Sequence, residues 1–144
     1  MKCTKCSSLL EKKTERGLEV DACPQGHGMW LDLQELDTLE DKGYDQDELK
    51  GTLIFSSSVS TDLCPHCSSA LAQFQYRLYD LVLEYCPQSH GYWLDAGEED
   101  RVVDLMNRRE RDMQRSQAAE AGWRETLKGF RSRSFFDKLK DLMR

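Results

Sequence analysis

The chain has 144 residues, a formal net charge of −6, 39% hydrophobic and 32% charged residues. That length allows one ordinary domain or two very small ones, and so polar a composition argues against a single large apolar core. No run approaches the ~18 apolar residues of a membrane-spanning helix, and units with so little core need a staple such as disulfides, a metal or a partner.

The opening stretch, "MKCTKC", places Cys3 and Cys6 in a C-x2-C pair and carries no apolar stretch of a secretory signal. A reducing cytoplasm is therefore the expected compartment, where paired cysteines mean metal more often than disulfide. The segment "LEKKTERGLEVDAC" follows and predicts a short β-hairpin turning near Arg16-Gly17. It ends in "CPQGHGMWLD", beginning at Cys23, and an acidic helical stretch is expected over roughly 33–50, with Gly43 ending or interrupting it. Residues 51–62 are rich in serine and predict a linker, with Leu53, Ile54 and Phe55 able to add an edge strand or dock on a repeat.

The pattern then recurs. Cys64 and Cys67 repeat the C-x2-C pair 61 positions on, and "CPQSHGYWLD", beginning at Cys86, repeats the second motif 63 positions on. The longer segment between them predicts a hairpin turning near Tyr79-Asp80. This is a tandem duplication. From Glu98 the chain reads as helical to its end, with apolar residues at Val102, Leu105, Met106 and Met113. Trp123, Leu127 and Phe130 then fall at helical spacing, as do Phe135, Leu139 and Leu142. A break is expected at 132–134, with Ser134 and Asp137 starting a last helix as a capping box.

The expected architecture is thus small α+β: a first zinc ribbon with its acidic helix at 1–50, the linker at 51–62, a second ribbon at 63–105, and a basic amphipathic helical tail at 106–144. Each ribbon is expected as short β-hairpins with a capping helix. Charge divides along the same line: residues 1–100 carry 8 Lys and Arg against 19 Asp and Glu, whereas 101–144 carry 12 against 7.

The cysteine spacing carries the chemistry. A C-x2-C pair points two thiolates at one ion, and a hairpin of 16 or 18 intervening residues returns a third cysteine to it. Where a C-P-x-C knuckle would place its second cysteine stand Gly26 and Ser89, and the next residue is His27 or His90. A histidine reaches further than a cysteine, so one extra residue of spacing suits an imidazole nitrogen in place of sulfur, with Gly28 or Gly91 relieving crowding in the turn. The competing reading is that these histidines ride on a duplicated turn and ligate nothing. The sites expected are Cys3, Cys6, Cys23 and His27, and Cys64, Cys67, Cys86 and His90, holding two Zn²⁺ per chain. His66 is expected at the surface. Asp32 with Glu35, and Asp95 with Glu98, match capping boxes that launch the following helices, and the tryptophan and leucine before each aspartate are expected to pack the helix onto the ribbon.

These residues resemble the transcription factor IIB-type zinc-finger domain of bacterial proteins, which reads C-x2-C, a short hairpin, then C-P-x-C-x-G-x-W-L-D and an acidic helix start. The resemblance covers about 3–40 and 64–105. It implies a zinc-ribbon fold with ligation by Cys3, Cys6 and Cys23, and by Cys64, Cys67 and Cys86; the family's fourth cysteine is absent from both copies.

The functional expectation is a non-catalytic adaptor that binds a protein partner, with a transcription-associated role suggested by the resemblance. No H-x-E or H-E-x-x-H motif occurs. Two alternatives stay open: nucleic-acid binding through Arg108, Arg109, Arg111, Arg115, Arg124, Lys128, Arg131 and Arg133, and a thiol switch that releases zinc on oxidation. The aromatic stripe of Trp123, Phe130, Phe135 and Phe136 is expected to pack against the ribbons or a second copy of the chain, with a membrane surface as the alternative.

Overall fold

A computed structural model describes residues 1–43, 54–77 and 79–130. It divides into a unit over Met1–Asn107 and a unit over Arg108–Arg144.

Within the first unit, β1 (Glu11–Glu15) and β2 (Leu18–Ala22) form the expected hairpin. Arg16 and Gly17 both take positive φ, 50° and 77°, which suits the two-residue turn that follows the right-handed twist of paired strands. β3 (Gly28–Leu31) pairs with β2, and α1 (Leu33–Asp41) follows directly. In the second copy β5 (Ala70–Tyr76), β6 (Val82–Tyr85) and β7 (Tyr92–Asp95) repeat the three strands, and α2 (Glu98–Phe130) begins after them. The described part of α1 ends at Asp41; the rest of the stretch expected as helix, 44–50, lies outside the described residues.

The two copies share one seven-stranded antiparallel sheet, ordered β1-β2-β3-β7-β6-β5-β4. They join through β3 and β7, where Trp30 lies opposite Trp93 and Met29 opposite Leu94. Because the repeat offset here is 63, Trp30 faces its own counterpart, and an approximate two-fold axis passes between the two indoles. This explains the recurring glycine better than crowding in the turn does. A Cβ on Gly28 would sit 2.1 Å from the Leu94 carbonyl oxygen, and one on Gly91 would sit 2.3 Å from that of Leu31. The glycines let the halves approach.

The outermost strand, β4 (Ile54–Leu63), pairs with β5. The segment expected as a serine-rich linker with a possible short edge strand is thus a ten-residue strand from Ile54 onward. Its counterpart in the first copy is the single bridge between Lys2 and Leu9, which matches Leu63 opposite Ala70.

Strand alternation sorts the core into two clusters. Met29, Leu31, Tyr92 and Leu94 join Val20, Phe74, Leu83 and the helix residues Leu36, Leu39, Val102 and Val103. Trp30 and Trp93 instead join Leu71 with Cys3, Cys23, Cys64 and Cys86. The helices and the cysteine turns therefore draw on opposite sets of strand residues. Gly43 sits where a Cβ would lie 2.6 Å from that of Met106, so close approach of α2, beyond helix termination, requires it.

One buried polar group also binds the copies. Arg77, at φ 47° in the second hairpin turn, pairs with Glu40 of α1 at 3.0 Å, and the Tyr76 hydroxyl donates to the same carboxylate. Both charged side chains are almost wholly buried.

In the second unit, α2 continues to Phe130 with exposed side chains from Arg111 to Lys128. Ion pairs join Asp112 to Arg115, Glu120 to Arg124 and Glu125 to Lys128, a pattern that supports a solvated helix by a few tenths of a kcal/mol per pair (~0.2–0.5). Trp123 and Leu127 are exposed. The expected break at 132–134, the Ser134–Asp137 cap and the stripe through Phe135, Leu139 and Leu142 lie outside the described residues.

Candidate metal centres

Each C-x2-C turn is closed by its own backbone. The Ser7 N–H donates to the Cys3 carbonyl and the Ser68 N–H to that of Cys64, at 3.0 and 2.9 Å, with both serines at positive φ. Inside the turns, the N–H groups of Lys5 and His66 approach the sulfurs of Cys3 and Cys64 at 3.4 Å. The Cys-Pro turns are equally alike: the Gly26 and Ser89 N–H groups donate to the carbonyls of Cys23 and Cys86, both at 2.9 Å.

Gly26 and Ser89 occupy the left-handed region, with φ 76° and 61°. The atom facing the sulfurs is the near ring nitrogen, Nδ1, in both copies. Backbone reversal at Gly26 or Ser89 thus works together with side-chain reach to bring the imidazole in.

All four expected residues come together in each copy, with the donor atoms of each quartet within 4.8 Å of one another. In the first, Cys6 Sγ lies 3.6 Å from Cys23 Sγ, and His27 Nδ1 lies 3.4 Å from Cys23 Sγ and 3.9 Å from Cys3 Sγ. In the second the same separations are 3.6, 3.3 and 3.9 Å. Zn–S bonds of ~2.3 Å and Zn–N bonds of ~2.0 Å in a tetrahedron set donor separations of roughly 3.5–3.8 Å. The quartets fit zinc, which would supply a structural staple without redox chemistry.

The donors are unequally ready to bind. Burial pushes the Cys3 and Cys64 thiols up to about 11. Hydrogen bonds from Ser8 hold Cys6 down at about 6, and Ser69 does the same for Cys67. Cys23 is lowered despite its burial, through N–H groups of His27 and Gln25, and His27 is raised by hydrogen bonds to Cys6 and Cys23. Ser8 and Ser69 escaped the sequence reading, although "CSS" recurs at the same offset as the cysteines.

His66 is exposed, as expected, yet its ring stacks on His90 with centroids 5.4 Å apart and lies 6.0 Å from Trp30. The first capping box is complete: the Glu35 N–H donates to Asp32, and the Asp32 N–H donates to Glu35. The second is used differently. The Asp95 N–H donates to Glu98, but the Asp95 carboxylate accepts from the Trp93 indole at 2.8 Å.

The family whose description is transcription factor zinc-finger, the TFIIB-type zinc ribbon, matches residues 2–42 and again 63–105. The chain belongs to this family. It matches no curated protein and no solved structure. This tandem zinc ribbon thus carries two Cys3His quartets consistent with two zinc ions, joined in one sheet through their tryptophan strands. No helix among the described residues is long and apolar enough to cross a membrane.

Proposed function

We propose that the chain is a non-catalytic, zinc-stapled adaptor. Cys3, Cys6, Cys23 and His27, and Cys64, Cys67, Cys86 and His90, hold the two ions, and the ribbon pair offers its acidic surface to a basic region of a protein partner. The supporting observation is the completeness of both quartets: four protein donors stand together, enough to fill every position of a structural site, whereas a catalytic zinc keeps one position open. The charge of the first unit, 9 Lys and Arg against 20 Asp and Glu over 1–107, suits a basic partner. A cytoplasmic location and a transcription-associated role belong to the same proposal.

The basic residues of 108–144, 11 Lys and Arg against 6 Asp and Glu, favour a second reading in which this stretch tracks nucleic-acid phosphates. Photo-cross-linking in native cells from a probe at Gln34, on the exposed side of α1, separates the two. A recurrent protein adduct with a basic surface, lost when zinc is chelated, is the expected result. Absence of any zinc-dependent protein adduct overturns the adaptor reading. Tight low-salt binding of nucleic acid, abolished by deleting 108–144, replaces it with the second.

A further inference from the structure

The two metal-binding turns do not rest on their own copies alone. Lys5, inside the first C-x2-C turn, sends its ammonium into the second copy. There it pairs with Asp62 of β4, lies 3.5 Å from Asp95 of β7 and 3.9 Å from Glu84 of β6. Glu84 is buried; its Oε1 accepts from Ser60 and Gln73, while Oε2 has no hydrogen-bond partner and faces the Lys5 charge. The equivalent residue of the second turn is His66, whose ring lies beside Trp30 of the first copy and stacks on the donor His90. A third link touches a donor residue directly: the Ala96 N–H donates to the His27 carbonyl at 3.1 Å. The turns are separated by a cleft of about 360 Å³ lined by Thr4 and Ser7 on one side and Pro65 and Ser68 on the other. The two turns thus meet through these crossing groups and the shared cluster of Trp30, Trp93 and four cysteines.

We propose that the two centres form one coupled pair, in which closing either quartet orders the strands that position the other, with Lys5 and His66 as positioning residues. Each zinc ion then raises the affinity of the chain for the second, and linkage makes the effect reciprocal. This rests on the reading that both quartets hold zinc.

The test is a Zn²⁺ titration of the full chain against a chromophoric chelator, with Cys6→Ser, Cys67→Ser and Lys5→Met as variants. The intact chain should take up two ions cooperatively. Each cysteine variant should bind its one remaining ion about tenfold more weakly or worse, within the usual range of coupling between sites. Lys5→Met keeps all eight donors, so it should still bind two ions, with reduced cooperativity and an unchanged far-ultraviolet spectrum. Cysteine variants that hold their remaining ion as tightly as the intact chain overturn the coupling. Unchanged cooperativity in Lys5→Met removes Lys5 from its assigned role. An intact chain that binds fewer than two ions defeats the zinc reading and leaves a result distinct from either.

Discussion

The two ribbons agree closely where metal chemistry constrains them and differ in many of the contacts around those points. Their sulfur–sulfur and sulfur–nitrogen separations match within 0.1 Å, and a small residue at positive φ, Gly26 or Ser89, turns the chain before each histidine. Around these points the copies part company. One turn carries Lys5 and the other His66; one outer edge bears the strand β4 and the other a single bridge; Asp32 caps a helix while Asp95 holds an indole. A tetrahedron fixes its donors tightly, whereas the surrounding contacts need only be satisfied.

Removing metal should erase the comparison altogether. Structural zinc contributes on the order of 10–16 kcal/mol in small peptide systems, so a strong chelator should abolish the near-ultraviolet signal of the buried Trp30 and Trp93 in both copies at once. Next in size is the buried pair between copies. Arg77→Met takes the cation from the buried Glu40 and leaves it the Tyr76 hydroxyl, and urea unfolding should show a loss of about 3–5 kcal/mol. Gly28→Ala and Gly91→Ala meet carbonyl oxygens of the opposite copy, so each should cost about 2–4 kcal/mol, and the two should be nearly equal if the two-fold relation governs stability. A clear inequality would show that one half dominates the joint.

Smaller effects sharpen the contrast. Cys3 and Cys64, raised to about 11, carry protons at neutral pH that metal must displace, so affinity should rise with pH. Each proton released contributes about tenfold per pH unit. His27, raised by its hydrogen bonds to Cys6 and Cys23, must also give up a proton on the acidic side, so the affinity of its quartet should fall as pH drops. Calorimetry in buffers of different ionisation enthalpy counts these protons. Last, Asp32→Ala should cost about 1 kcal/mol through loss of the cap. Asp95→Asn, which retains an acceptor for the Trp93 indole, should cost less than Asp95→Ala in thermal unfolding.

The metal quartets and the first hairpin were legible because their signals are local: cysteine spacing, Cys-x3-His, and Arg16-Gly17 between strand-like runs. What escaped depends on contacts between separate strands or on which of several nearby partners a side chain takes. Nothing in "SSSVS" requires a strand, since serine favours turns; β4 forms because β5 offers an edge to pair with. Gly28 reads as a turn glycine until its neighbour proves to be the Leu94 carbonyl, and Asp95 reads as a cap until Trp93 folds back onto it. The helix from Glu98 was legible in the sequence as far as Phe130, and Trp123 and Leu127, read as packing on the ribbons or on a second copy, are exposed in the single chain.

The pairing of Trp30 with Trp93 has a further meaning. Two strands that meet through like residues are what separate polypeptides bearing one such module would use to form a symmetric dimer, and that association would weaken on dilution. Here the intervening residues keep the halves at a high effective concentration. The joint therefore forms at any dilution, and each half has become free to acquire differences that a true dimer would have to bear twice.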